Sequence, residues 1–393
     1  MSDVARGGRP KTSIWRDREF RAIVAQVLTV GAIALVGGYL IRNTLTNQES
    51  RHIATGFGFL QSESGFGISE HVIDFSPAST YLRALAVGLL NTLKVAIVGI
   101  VLATIWGTLI GVARLSSNWL IRQLTSWYVE VFRNTPLLLQ LFLWYLVLTQ
   151  SLPNVRQALQ PLPGFFLSQK GLYYPVFAAD PIQPWMALLA VVGVGLAWLW
   201  ARRAKAHQAA TGQVRPVALP ALGFIIGLPL IAWLVGGAPV GLDVPALRGF
   251  NFAGGGVISP ELTALLFGLV MYTASYIAEI VRAGILAVPH GQTEAARALG
   301  LPGGRILRLI VLPQALRVIV PLVTSQYLNL TKNSSLAVAI GFPDLMSVAN
   351  TTINQTGQAV EAIALAMAVY LTISLSISVF MNWYNARIRL VER

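Results

Sequence analysis

The sequence predicts an all-α polytopic membrane protein with about eight transmembrane helices. Three observations carry this. Hydrophobic residues make up 55% of the 393-residue chain and charged residues only 11%, about half the charged fraction of a soluble domain. Mean hydropathy is +0.63. Apolar runs able to cross the ~30 Å of bilayer hydrocarbon recur along the chain, separated by polar or Gly/Pro-rich stretches.

Residues 1–22 are polar and basic and read as a cytoplasmic tail. The first apolar run, about 23–41, starts too late and is too long for a cleavable signal peptide. It forms a unit with the polar periplasmic loop that follows, so that 23–84 is one stretch. A transmembrane domain occupies 85–385. Its spans at about 86–113 and 126–149 come first, and the second opens on YVEVFRNTP. There Asn134, Thr135 and Pro136 predict a local break. Region 151–255 reads as an insertion. Its Pro- and Gly-rich flanks enclose two short spans, about 185–200 and 217–236, joined by a loop with Arg202, Arg203, Lys205 and Arg215. Further spans are expected at about 261–284, 309–330 and 360–382. Pro313 and Pro321 predict a bend or break in the middle one. The polar run 331–358 is expected to be re-entrant or external, and 386–393 forms a second cytoplasmic tail. The tryptophans fall mostly at span ends, as an interfacial belt would.

The basic residues orient this layout. Twenty of the 29 fall on the side of the two termini and the 290–308 loop, eight fall on the other, and Arg133 lies inside the third span. Cytoplasmic loops attract Lys and Arg, so this side faces the cytoplasm. The net charge of +13 is thereby read as membrane topology and not as a nucleic-acid footprint. The chain has no cysteine, which excludes thiolate metal sites, disulfides and a cysteine nucleophile. No H-E-x-x-H, G-x-S-x-G or phosphate-loop G-x-x-x-x-G-K-[ST] pattern occurs. No catalytic residue, metal or cofactor is expected, and any ATP chemistry has to reside on another subunit.

The most informative stretch is HGQTEAARALGLPGGRILRLIVLP, 290–313. Thr293 is a good N-cap and Glu294 suits a first helical turn. Ala295, Ala296, Arg297, Ala298 and Leu299 favour helix. Gly300 can take the left-handed conformation that closes a helix, and Pro302 prevents continuation. The stretch resembles the EAA-x3-G-x9-I-x-L-P loop of ABC importer permeases, with Glu294, Ala295, Ala296, Gly300, Ile310, Leu312 and Pro313 each at its spacing. In that family the loop is the coupling helix that docks on the ATPase. YVEVFRNTPLLLQLFLWY (128–145), YTASYIAEIVRAGILAVPHGQTEAARALGL (272–301) and LTKNSSLA (330–337) are similar to the polar amino acid branch, which imports histidine, glutamate, glutamine, arginine and opines. The length and the 151–255 insertion look most like the long permease of general L-amino acid or Glu/Gln/Asp/Asn importers. The resemblance implies a type I importer permease in the cell inner membrane. It further implies a homologous second permease in a heterodimer, an ABC ATPase dimer, a periplasmic amino-acid-binding protein and no nucleic acid partner.

Ionisable groups at membrane depth are costly and either pair or line a pathway. Glu130 and Arg133 in the third span, and Glu279 and Arg282 in the sixth, are Glu-then-Arg at i, i+3. Each pair can close on its own helix, or the two helices can face each other and form a gate or a zwitterion site. Tyr272 and Tyr276 place hydroxyls beside Glu279. Lys332, Asn333 and Ser334 are too polar for lipid and face protein or water. An ion-gradient-driven secondary amino acid transporter is the alternative; it keeps acidic residues near midplane, whereas these glutamates lie toward the cytoplasmic ends.

Overall fold

The structure is a computed structural model that describes residues 18–50, 55–178, 180–238 and 240–388. It is mostly helical, and among the described residues seven helices are long and apolar enough to cross a membrane, or eight if one sharply bent pair counts as a span. The chain divides into two compact units, Met1–Asn91 with Pro343–Leu375, and Thr92–Phe342 with Ser376–Arg393.

The first unit holds α1 (Arg18–Ser50), the start of α2 (Tyr81–Ala113), α12 (Leu345–Thr356) and most of α13 (Ala359–Ile388). α1 begins earlier and ends later than the apolar run alone predicts, and it buries no residue. Residues 55–80, expected as loop, fold onto α12 and α13 because their backbone groups find side-chain partners there. The Glu361 carboxylate accepts from the Gly56 N–H (2.9 Å) and the Gln358 side chain donates to the Gly56 carbonyl (3.2 Å). Asn91 donates to the Glu70 and Pro343 carbonyls at 2.7 and 2.9 Å. Val87, Leu345, Val348 and Ala349 form the core beneath them. Asp344, wholly buried, caps α12 by accepting from the Ser347 N–H (2.8 Å) and also accepts from the Tyr370 hydroxyl (2.9 Å).

The second unit is organised around α8 (Pro260–Leu286), started by the side chain of Ser259, which accepts from the Leu262 N–H. One set of buried side chains joins α8 to α4 (Leu137–Gln150) through Leu137, Leu141, Leu265, Leu269 and Phe342. A second joins it to α11 (Leu312–Asn333) through Ala274, Ile277, Val281, Ala315, Ile319 and Val323. Gly107 and Gly111 lie one turn apart on α2, and a Cβ on either would strike α8 near Ile277 or Val281. Small residues at i, i+4 let two helices in lipid approach this closely.

The break predicted at Asn134–Pro136 is present. α3 (Trp119–Asn134) and α4 meet at 105°. Thr135 is extended, as a residue before proline should be. The carbonyls freed at the end of α3 are not orphaned. The buried Gln140 side chain donates to the Phe132 and Thr135 carbonyls at 3.0 and 3.1 Å.

Residues 166–258 carry short strands that helical patterning does not anticipate. β1 (Phe166–Ser168), β2 (Gly171–Tyr174) and β7 (Gly256–Ile258) form one antiparallel sheet. β3 (Val176–Phe177) pairs with β4 (Leu242–Asp243), and β5 (Ala246–Arg248) with β6 (Asn251–Ala253). Tyr174 lies opposite Gly256, so the residues flanking 175–255 are side by side. Between them stand α5 (Gln183–Thr211) and a returning helix made of α6 (Ala218–Leu222), a π turn and α7 (Leu228–Val235).

Of the bend or break expected at Pro313 and Pro321, a break does not occur. α9 (His290–Ala298) is followed by α10 (Gly303–Ile306), a π turn (Leu307–Val311) and α11. Pro313 falls in the first turn of α11, where its missing N–H costs little, and Pro321 is carried inside the continuing helix. The run after α11 is a 3-10 helix, Ser334–Ile340.

Candidate coupling helix and translocation face

α9 starts at His290, three residues before the predicted cap. Its N-cap is Pro289, and Thr293 is inside the helix, its hydroxyl donating to the His290 carbonyl (2.7 Å). Once helical, a threonine can bond back to its own turn, and this outcompetes capping. Glu294 therefore sits in the second turn and is exposed. The C-terminal closure follows the sequence. Gly300 has φ +73°, the Gly300 N–H donates to Arg297 (2.9 Å) and the Leu301 N–H donates to Ala296 (3.2 Å). This double closure is the Schellman arrangement.

The helix has two faces. Ala296 is 2% exposed and packs with Ile306 and Val311, flanked by Leu301 and Ile310. Glu294, Ala295, Arg297 and Ala298 face outward, and Leu299 is 81% exposed. Of the remaining motif residues, Leu312 is exposed and Pro313 half-buried at the base of α11. A short rigid rod thus rests on the root of α11 and offers a mixed polar and apolar surface away from it.

The four predicted charges do not behave alike. Glu279 and Arg282 form the expected i, i+3 pair at 2.6 Å. Glu279 also accepts from Arg114 at the end of α2. That makes a cluster of two guanidinium groups on one carboxylate, tying α2 to α8. Arg114 was not among the residues expected at the site; its only signal is that it directly follows the apolar run of α2. No ion pair between Glu130 and Arg133 occurs among the described residues. Glu130 accepts from the Asn134 side chain (3.1 Å). The Arg133 guanidinium lies over the Tyr276 ring, 5.0 Å from its centre, where the ring face attracts a cation. Tyr272 and Tyr276 share a hydroxyl contact of 3.2 Å. Helix α3 and helix α8 therefore do bring Arg133, Tyr272 and Tyr276 together, whereas Glu279 and Arg282 belong to the Arg114 cluster.

Where α11 passes into the 3-10 helix, Lys332 is exposed, Asn333 half-buried and Ser334 buried. The Ser334 hydroxyl donates to the Thr331 carbonyl (2.7 Å), so it is part of the packing rather than of an open surface. Lys332 instead shares an exposed helical face with Ser325 and Asn329, at i+7 and i+4 from Ser325. This stripe was not read from the sequence as a unit, since polarity alone does not give its facing.

Residues 99–390 match the family described as the binding-protein-dependent transport system inner membrane component. The chain is 52% identical to the YhdX protein of Escherichia coli (strain K12), a candidate amino-acid ABC transporter permease, over 95% of each chain. It is 49% identical to the general L-amino acid transport system permease protein AapQ of Rhizobium johnstonii, over 96% of this chain and 94% of that one. It is 41% identical to the glutamate/glutamine/aspartate/asparagine transport system permease protein BztB of Rhodobacter capsulatus, over 100% and 99%. The resemblance seen in the EAA loop thus extends over 95% or more of the chain. The chain belongs to the binding-protein-dependent transport system inner membrane components, the permeases of ABC importers.

Proposed function

We propose that this permease forms half of the membrane pathway of an importer for polar L-amino acids, moving them from periplasm to cytoplasm. In this reading it pairs with a homologous permease, receives its substrate from a periplasmic binding protein and has both termini in the cytoplasm. ATP is hydrolysed on a separate ATPase dimer, which grips α9. The names of the relatives, a general L-amino acid permease and a glutamate/glutamine/aspartate/asparagine permease, support the substrate class.

The observation that carries the proposal is the seating of α9, with Ala296 packed on Ile306 and Val311 while Glu294, Ala295 and Leu299 stay free. A push on the outer face passes through packed side chains into the π turn and α11. α11 carries Ser325, Asn329 and Lys332 on an exposed face. Such groups at membrane depth require water or a polar ligand. The Lys332 ammonium and the Arg133 guanidinium suit a substrate carboxylate.

The test is reconstitution of the complete transporter in proteoliposomes with Gly300→Trp or Glu294→Ala. Loss of about 1.4 kcal/mol of docking free energy is a tenfold effect. Uptake is expected to fall about tenfold or more relative to ATP hydrolysis, with insertion and yield unchanged. Wild-type uptake by Gly300→Trp would remove α9 from the coupling path.

A further inference from the structure

We propose that the C-terminal part of α5, together with the turn joining it to α6, binds the phosphate headgroups of anionic lipids, anchoring this helical hairpin to one leaflet. The inference requires only that the hairpin lies in the bilayer, and it stands apart from the coupling role of α9.

Helix length places the turn. The 29 residues of α5 span ~43 Å at 1.5 Å per residue, against ~30 Å of hydrocarbon. The returning helix, Ala218–Val235, has 18 residues and just crosses. About 13 Å of α5 therefore overhangs into the headgroup layer, and Arg202, Arg203 and Lys205 lie at the base of that overhang.

Composition and geometry then identify the partner. No acidic residue occurs between Asp180 and Asp243. Among the described residues none of Arg202, Arg203, Lys205 and Arg215 forms an ion pair, and all four are exposed. The Arg202 guanidinium lies 4.6 Å from the centre of the Trp198 ring, and Trp200 donates its indole N–H to the Pro216 carbonyl (3.1 Å). That bond draws Arg215 back toward the Arg202–Lys205 turn. Two tryptophans followed within five residues by three unneutralised cations, with a fourth beside the Trp200–Pro216 bond, match the boundary between hydrocarbon and an anionic leaflet. The rest of the hairpin explains why such an anchor matters. Gly193 lets α5 meet the backbone at Phe224. Outside that seam Val191, Val194, Leu219, Ile226, Leu230 and Leu234 are exposed.

The experiment uses the full chain with its companion subunits in nanodiscs of equal phosphatidylcholine and phosphatidylglycerol. Native mass spectrometry counts each lipid retained on gentle stripping. The wild type should retain phosphatidylglycerol preferentially, and each cation removed should weaken that preference about fivefold. R202Q/R203Q/K205Q/R215Q should abolish it, whereas R202K/R203K/R215K should keep it. Because the chain has no native cysteine, a single Q213C reports by side-selective labelling whether the turn keeps its side of the membrane. If the quadruple variant inverts, R203Q and K205Q singly carry the test. Equal retention of both lipids by the wild type, or an unchanged preference in correctly oriented Gln variants, would overturn the proposal. So would displacement of the lipid by inorganic phosphate, which would assign the turn to a soluble anion. Unchanged lipid retention with loss of ATPase co-purification would reassign it to the ATPase.

Discussion

Two side chains show how much a single position decides. Gly300 holds a left-handed backbone that any Cβ strains. Its role was legible because glycine after a helix-forming run has few other uses. Asp344 is the opposite case, an acid whose importance appears only when its surroundings are known. Burial pushes its carboxyl up to about 6, against the pull of the Ser347 N–H and the Tyr370 hydroxyl. Folded, it keeps its proton to about pH 6; unfolded, only to about pH 4. The folded state therefore binds more protons within that window, and stability falls as pH rises through it, levelling off above pH 6. The two-unit difference corresponds to roughly 3 kcal/mol. Thermal unfolding of the detergent-solubilised chain should show this loss between pH 4 and 6. Asp344→Asn, which can still cap α12, should flatten the profile relative to the wild type. Parallel profiles for the two proteins would contradict this account.

Among the elements, the α3–α4 corner turns a polar side chain into a structural part. Gln140 is buried in an otherwise apolar helix start because two carbonyls of α3 need donors. Gln140→Leu keeps the volume but strands both carbonyls, each costing about 1–3 kcal/mol. A denaturant titration should register a loss of that order, and an unchanged midpoint would mean the corner is held by Pro136 alone. Local chemistry made the corner readable, since a residue before proline leaves the helix region wherever it occurs. The same chemistry misled at Pro313 and Pro321. There the neighbouring turns absorb the missing N–H, and continuity is set by packing of α11 on α8, which no local rule reports. The fates of Glu130 and Arg133 were also tertiary: i, i+3 spacing permits an ion pair, but the ring of Tyr276 on another helix took the guanidinium.

Over the whole molecule, the long apolar helices, including the two between residues 183 and 235, were visible in hydropathy, because each satisfies its own backbone hydrogen bonds and needs only length and apolarity. The strands of the insertion were not visible: they are two to four residues long, too short for a period to register. Their pairing has a testable consequence. Excising 175–255 and joining Tyr174 to Gly256 through Asn-Gly should give a hairpin turn on the existing register. The shortened chain should still insert with the α4–α8 core intact, shown by a thermal midpoint close to that of the full chain. Collapse of that midpoint would show that the hairpin supports the core.

The pairing of β2 with β7 also fixes where entropy is spent. Bringing two chain ends together costs more as the loop between them grows, though only logarithmically. Here the backbone hydrogen bonds of a three-residue-wide clasp meet that cost where the loop begins and closes. Main-chain bonds are indifferent to side-chain identity, so the clasp sets the spacing of its two ends whatever the loop between them contains. An excursion of eighty residues, or a different one of another length, meets the same closing step there, while Ile258 seats β7 on the α4–α8 core.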